Sequence, residues 1–386
     1  MNATPPLPDP APASYAQAGV DEEREQAAFA RVMRPWLART RVKSPMVTSI
    51  TGLASGYFAT IMHLPPGPPL ALTTDGVGTK ILLAREANHW EPIGVDCVAN
   101  NVNDLICVGA VPLALLDYMA TDRIDEAVLE EIARGLFLGA ELAGIAIPGG
   151  EIAQIGAMLA DSDSDGGGPM LDLVGTAVGA LPPLAEQTGT GIEYRQAIDG
   201  SAVRPGDVVI GLPSSGLHSN GFSLARQALF KKGGLSLDAH VLGSRRLADV
   251  LLQPTRVYVT AAEALWAAGI TPRGMAHISG GGLLNITRLA ADVSYELDAL
   301  PSAPDIFTLI ADVGEIDKIT MYATLNMGIG FCVVVSKEDH LPALAALKKA
   351  GEDALRIGIV TDRRGRFVEI PLAGLIGRGD TFEPVR

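Results

Sequence analysis

Apolar runs of strand length alternate with longer amphipathic stretches through the first half of the chain. "PLALTT", "GVDCVANNVNDLICVGA", "PLALLDYMAT", "DEAVLEEIARGLFLGAELAG", "IAIPGGE" and "LDLVGTAVGAL" follow one another in that order. A helix with one apolar stripe and a strand of this kind each need a partner layer, so the alternation predicts an α/β or α+β domain. The first of these helices is expected to stop at Gly109, where glycine permits a left-handed cap.

Near residue 200 the pattern restarts. The turn-rich "AIDGSAVRPG" introduces a fresh strand, "DVVIGL", followed by the helix "FSLARQALFKK", the turn "HISGGG", the strand "GFCVVV", the helix "LPALAALKKA" and closing strands at "LRIGIVT" and "FVEIPL". With 386 residues, against the roughly 100–200 usual for one domain, two domains are predicted, 14–200 and 201–386. Residues 1–13 read as a disordered Pro-rich extension. "VDEEREQAAFARVMRPWLART" reads as an amphipathic helix with Ala28, Val32, Trp36 and Leu37 near helical spacing, bent or ended by Pro35. The acidic, Gly-rich stretch 159–170 is expected to be a mobile surface insertion; it lacks the full ligand pattern and closing glutamate of an EF-hand. No internal repeat is evident.

The formal net charge of −14 argues against binding to a nucleic-acid backbone, which depends on clustered Lys and Arg. An anionic ligand must instead be captured locally, by backbone amides, a few basic side chains and a metal cation. Cys97, Cys107 and Cys332 show neither zinc-site spacing nor a disulfide framework. No apolar run approaches the ~20 residues needed to span a bilayer, and the N-terminus does not read as a signal peptide, so a reducing cytoplasm is expected.

On the helix that follows Gly94, Asp96, Asn100, Asn103 and Asp104 share one face, a set of short oxygen-bearing side chains suited either to a hard cation or to local hydrogen bonds. Asp75 and Glu151 stand at strand ends, where ligands collect in open α/β sheets. The loop "TTDGVGTK" offers Gly76, Gly78, Thr79 and Lys80, but not at P-loop spacing; by itself it is equally a tight turn. In the second half, His218, Ser219 and Asn220 precede a helix whose N-terminus suits an anion, and His277 precedes Ser279, Gly280, Gly281 and Gly282. Either histidine suits acid–base work or a structural hydrogen bond.

Taken together these blocks resemble aminoimidazole ribonucleotide synthetases, the phosphoribosylformylglycinamidine cyclo-ligases of purine biosynthesis. "SYAQAGVD", "TTDGVGTK", "IGVDCVANNVNDLICVGAVPLALLDYMAT", "PGGE", "SSGLHSNGFSLAR", "LLQPTRVYV", "AHISGGGLLNI", "MYATLNMGIG" and "GEDALRIGIV" follow in family order from about Ser14 to Val360. The resemblance implies an N-terminal ATP-binding domain whose sheet forms a barrel across a homodimer, and a C-terminal α/β synthetase domain. It also implies ATP-dependent closure of formylglycinamidine ribonucleotide to aminoimidazole ribonucleotide, with release of ADP and phosphate.

On that likeness Asp75, Asp104 and Glu151 hold Mg²⁺ and the ATP phosphates, supported by Gly76, Gly78, Thr79, Lys80, Asp96 and Asn103. His218, Ser219, Asn220, His277 and the turn Ser279 to Gly282 contact the phosphorylated substrate, and His218, Asp104 and Lys80 carry the chemistry. The chain departs from the family at Glu151-Ile-Ala-Gln-Ile-Gly156, where members continue Thr-Ala-Glu-Met-Pro-Gly after the glutamate. It departs also at Met33, commonly lysine, with Arg34 as a partial substitute, and at "GLASGYFA". Alternatives from these departures and from the wider superfamily are a thiamine-monophosphate kinase, a selenophosphate synthetase or a noncatalytic nucleotide-binding paralogue. The HSNG and PTR blocks favour the cyclo-ligase.

Overall fold

Two sheets organise the chain. The computed structural model describes residues 28–37, 39–40, 44–52, 57–159, 168–184 and 192–385. The segment 1–13, "SYAQAGVD" and the middle of the acidic insertion lie outside them.

The first sheet contains β1 (Ser49–Gly52), β2 (Thr60–His63), β3 (Leu70–Gly76), β4 (Val111–Thr121), β5 (Ala146–Gln154) and β6 (Leu171–Ala180), in the order β1-β2-β3-β6-β4-β5. Its pairs are antiparallel except β4 with β5, which are parallel. The three longest helices of this half are α1 (Lys80–Ala87), α2 (Glu91–Cys107) and α3 (Glu126–Ala143). The parallel pair needs a crossover, and α3 supplies it. Asp125 starts α3 by accepting the N–H groups of Ala127 and Val128, and Gly144 ends it in the left-handed conformation.

The helix α2 is buried nearly all round and packs on α3 with the backbones in contact. A Cβ on Gly94 would collide with the Ile132 carbonyl, and one on Gly135 with the Glu91 carbonyl, so this approach requires glycine in both helices. Pro92 in the first turn lets α2 begin at Glu91, ahead of the expected start, and it ends at Cys107.

Register assigns every first-sheet residue to one of two faces. Ile61, Ala71, Ala177 and Leu115 face the helices and are buried. The opposite face carries Ile50, Leu116 and Tyr118, all exposed. The helix expected before β1 continues through Pro35 to Leu37, but Val32 and Leu37 are exposed.

The second sheet contains β7 (Val208–Pro213), β10 (Gly274–His277), β11 (Ser294–Glu296), β12 (Ile329–Val335), β13 (Leu355–Thr361), β14 (Val368–Ile370), β15 (Leu375–Arg378) and β16 (Thr381–Pro384). A two-stranded ribbon pairs β8 (His240–Val241) with β9 (Arg245–Arg246). The large sheet runs β10-β12-β7-β13-β11-β14-β15-β16. Every residue of β12 is buried, as are the first five of β7; such continuous apolar strands need layers on both faces. Among the described residues no helix is long and apolar enough to cross a membrane.

Candidate active site

The polar face of α2 meets the second half of the chain along a buried seam. Lys80, first residue of α1, places its ammonium 2.7 Å from a carboxylate oxygen of Asp96, and both side chains are fully buried. The same ammonium donates to the Gln253 carbonyl at 2.7 Å. The other Asp96 oxygen accepts from the N–H and the hydroxyl of Thr255, each at 2.7 Å. Asn103 reads the next residues of that segment, donating to the Arg256 carbonyl and accepting from the Tyr258 N–H. Asn100 donates to the Gly76 carbonyl. The Lys80, Asp96 and Asn103 side chains expected beside the ATP phosphates are therefore occupied by protein partners, because burial away from water obliges each polar atom to pair.

Of the polar residues on this face of α2, one retains access to solvent. Asp104 is partly exposed and lies 3.0 Å from Nδ1 of His277, so a carboxylate from α2 meets an imidazole from β10. The His277 N–H donates to the Cys107 sulfur and its carbonyl accepts from Asn285, which also donates to Ser279 Oγ. Ring and following turn are thus held together. Asp75, at the end of β3, faces this group: burial first and the Asp104 charge second push its carboxyl up to about 6, against the opposing pull of His277 and Arg288. The repulsion between the Asp75 and Asp104 charges is one that a bound cation would relieve.

The expected metal trio is not gathered within one chain. Across the sheet Asp75 pairs with Gly175 and Gly175 with Asp117, and on the far side Asp117 pairs with Gly150, so Asp75 and Asp117 face the helices together. Glu151 is one residue further along β5, beside Tyr118, and strand alternation turns it to the opposite, exposed face. Among the described residues no three His, Cys, Asp or Glu side chains come close enough to share a metal ion. The second glycine of "PGGE" is also required sterically, since a Cβ on Gly150 would collide with the Asp117 carboxylate.

The HSNG segment is packed against the same seam. His218 is buried with a left-handed backbone, and its Nε2 accepts from the Ser215 N–H at 3.2 Å. This bond assigns the ring proton to Nδ1, which has no partner among the described residues. Burial, then the charges of His277, Lys80 and Arg256, hold its pKa well below the ordinary imidazole value, so the ring is neutral. Ser219 shares a 2.9 Å hydrogen bond with Thr255, which connects this segment to Asp96. Thr79 reaches Ser223 at 3.2 Å. Ser279, Gly280 and Gly281 are half-buried, whereas Gly282 is buried against carbonyls of Tyr322 and Leu325, where a Cβ has no room.

Residues 57–181 match the N-terminal domain of AIR synthase related proteins and residues 204–370 match their C-terminal domain. A curated relative from Methanothermobacter thermautotrophicus named phosphoribosylformylglycinamidine cyclo-ligase is 40% identical over 358 residues, covering 92% of this chain and 96% of its own. The chain belongs to the phosphoribosylformylglycinamidine cyclo-ligase family. A second relative of that name, from Myxococcus xanthus, is 41% identical over 92% of this chain and 98% of its own. Among solved structures, a HypE–HypF complex aligns with a TM-score of 0.59 at 19% identity, over 93% of this chain and 99% of that one. AaThiL complexed with AMPPCP and TMP aligns at 0.56 and 17%, over 90% and 94%. At these identities the two share the fold.

Within this cyclo-ligase family fold, sequence reasoning passed over three residues at the site. Asp117 lies in a strand otherwise read as apolar, and the neighbouring Gly-Gly pair was its available signal. Thr255 lies in the PTR block, but its partner Asp96 is 159 residues away. Arg288 lies over the Phe58 ring, 5.3 Å from its centroid, and acts on Asp75; nothing in its local sequence marks it.

Proposed function

We propose that this chain catalyses ATP-dependent ring closure of formylglycinamidine ribonucleotide to aminoimidazole ribonucleotide in purine biosynthesis. The names of its relatives support the reaction, and the contact of Asp104 with His277 beside Asp75 is the observation that carries the assignment of the site. In that reaction the formyl amide oxygen takes the γ-phosphoryl group and ADP departs. The amidine nitrogen then attacks the activated carbon, phosphate leaves, and a proton is lost as the ring forms.

Bound Mg²⁺ would supply charge neutralisation for the transferring phosphoryl group. Asp75 and Asp104 are the carboxylates suited to hold it, with nucleotide phosphates completing the ligand set, as is usual for Mg²⁺. Gly76, Gly78 and Thr79 give the loop close to those phosphates. Lys80, Asp96 and Asn103 hold that loop and α2 against the Gln253–Tyr258 segment. Asp104 orients His277 for proton transfer at the ring-closing step, while His218 directs its Nδ1 proton at the substrate as a positioning donor beside Ser219 and Asn220. Ser279, Gly280, Gly281 and Gly282 form the adjoining wall.

The exposed face bearing Ile50, Leu116 and Tyr118 suits burial against a second copy and supports the reading of a homodimer with sheets facing. Glu151 stands on that face and would contribute to a site shared between subunits. The cytoplasm is the matching compartment for an enzyme with three free, buried cysteines. Purified protein supplied with ATP, Mg²⁺ and formylglycinamidine ribonucleotide should release ADP and aminoimidazole ribonucleotide in equal amounts. Release of ADP only with thiamine monophosphate, or no release with either acceptor, overturns the reading.

A further inference from the structure

A cavity of about 380 Å³ lies away from the seam, between the 3₁₀ helix Gly282–Arg288 and the turns that join β13 to β14 and β15 to β16. Thr287, Asp292, Gly365, Arg366, Arg378 and Gly379 line it. In a chain of net charge −14, the first of these turns reads Arg363-Arg364-Gly365-Arg366. The pairing of Val368 with Gly377 then brings Arg378 alongside.

The Phe367 ring organises this charge. The guanidinium of Arg363 lies 4.6 Å from its centroid and that of Arg378 lies 5.4 Å away, contacts that orient a cation without neutralising it. Arg363 also pairs with Glu369 at 3.6 Å. Among the described residues neither Arg366 nor Arg378 forms an ion pair. The carboxylate in the cavity, Asp292, accepts the Gly365 N–H at 2.8 Å and so shapes the turn. Arg366 itself adopts φ +55°, a left-handed conformation that side-chain-bearing residues rarely hold. Two arginines that form no ion pair among the described residues, one from the turn before β14 and one from the end of β15, outnumber the single carboxylate in the cavity and match the oxygens of a phosphate better than a neutral ligand.

We propose that this cavity is a second binding site, independent of the seam, for a small phosphorylated molecule whose phosphate sits between Arg366 and Arg378. Its volume is within the range of small-molecule pockets. The occupant would lie against Thr287, on the 3₁₀ helix that begins at the Ser279 to Gly282 turn.

Calorimetric titration of the full chain with inorganic pyrophosphate tests this. Binding at the cavity should weaken by at least about tenfold in an Arg366→Gln/Arg378→Gln double variant. It should weaken less in the corresponding double lysine variant, which keeps the charge and loses the forks, and tighten in Asp292→Asn, which keeps an acceptor for Gly365 and removes a negative charge. The KM for ATP and the melting temperature should be unchanged in the glutamine variant, separating this site from the seam and from misfolding. Pyrophosphate isotherms that are the same in wild type, the glutamine variant and Asp292→Asn would overturn the proposal. This outcome is independent of whether the proposed ring closure is observed.

Discussion

Lys80 and Asp96 form a fully buried ion pair, 2.7 Å apart, that joins the start of α1 to the middle of α2 where both meet the Gln253–Tyr258 segment. Burial lowers the Lys80 pKa and Asp96 opposes that shift, so the charged lysine depends on its partner. Replacing one partner strands a charge without water. We expect Lys80→Met to cost roughly 3–5 kcal/mol of stability in denaturant unfolding, and Lys80→Met/Asp96→Leu to cost less than the sum of the single changes. If Lys80→Met is as stable as wild type and loses only ATP affinity, the lysine is a phosphate ligand instead.

Asp75 makes stability and function oppose each other. Its folded carboxyl titrates at about 6, above the value in an unfolded chain, so the folded state holds a proton that the unfolded state has released. Stability from this group is full below about pH 4 and is lost as pH rises through about 6. Asp75→Asn should therefore stabilise the metal-free protein by roughly 1–3 kcal/mol at pH 8 and by almost nothing near pH 3, while abolishing turnover. Unfolding curves at the two pH values check the sign; a loss of stability at pH 8 contradicts it.

Asp104 and His277 should behave as one unit. Removing an oriented acid–base group typically costs about 10²–10⁴ in rate, so His277→Asn should lose that much in kcat with the fold retained. Asp104→Ala should lose at least as much, because its charge also acts on Asp75. The double variant should be no slower than Asp104→Ala, since groups acting together are not additive. Single-turnover ADP release measures all three; wild-type activity in Asp104→Ala excludes this assignment.

Gly150 tests the packing of the carboxylate row. A methyl group there meets the Asp117 carboxylate and carbonyl, so Gly150→Ala should destabilise the protein by about 1–3 kcal/mol, the usual cost of overpacking. Asp117→Ala in the same chain should recover part of that loss by removing the carboxylate. Melting temperatures of the three variants give the comparison, and equal destabilisation with and without Asp117 would show that the clash lies elsewhere.

Much of the fold was legible because local pattern and tertiary demand agree. The strand read at "PLALLDYMAT" forms as β4, and the apolar run "GFCVVV" lies in the fully buried β12. The helix end expected at Gly109 falls two residues earlier, at Cys107. The N-terminal amphipathic pattern was less informative: its apolar residues Val32 and Leu37 are exposed. A stripe reports that a surface needs a partner without saying whether that partner belongs to the same chain.

Residue pattern alone determined the alternation of strands and helices and the ordered motifs that identify the family. These depend on local periodicity and on motif order, both written along the chain. Tertiary structure decided what individual polar residues do. Asp96 and Asn103 share a helix face with Asp104, yet their partners are 159 and 153 residues away, so only packing shows that two are committed to the seam while the third meets His277. Glu151 differs from Gly150 by one step along a strand, and that step moves a side chain from the face of Asp75 to the exposed face. Composition names the chemistry available; burial and register decide which atoms remain free to perform it.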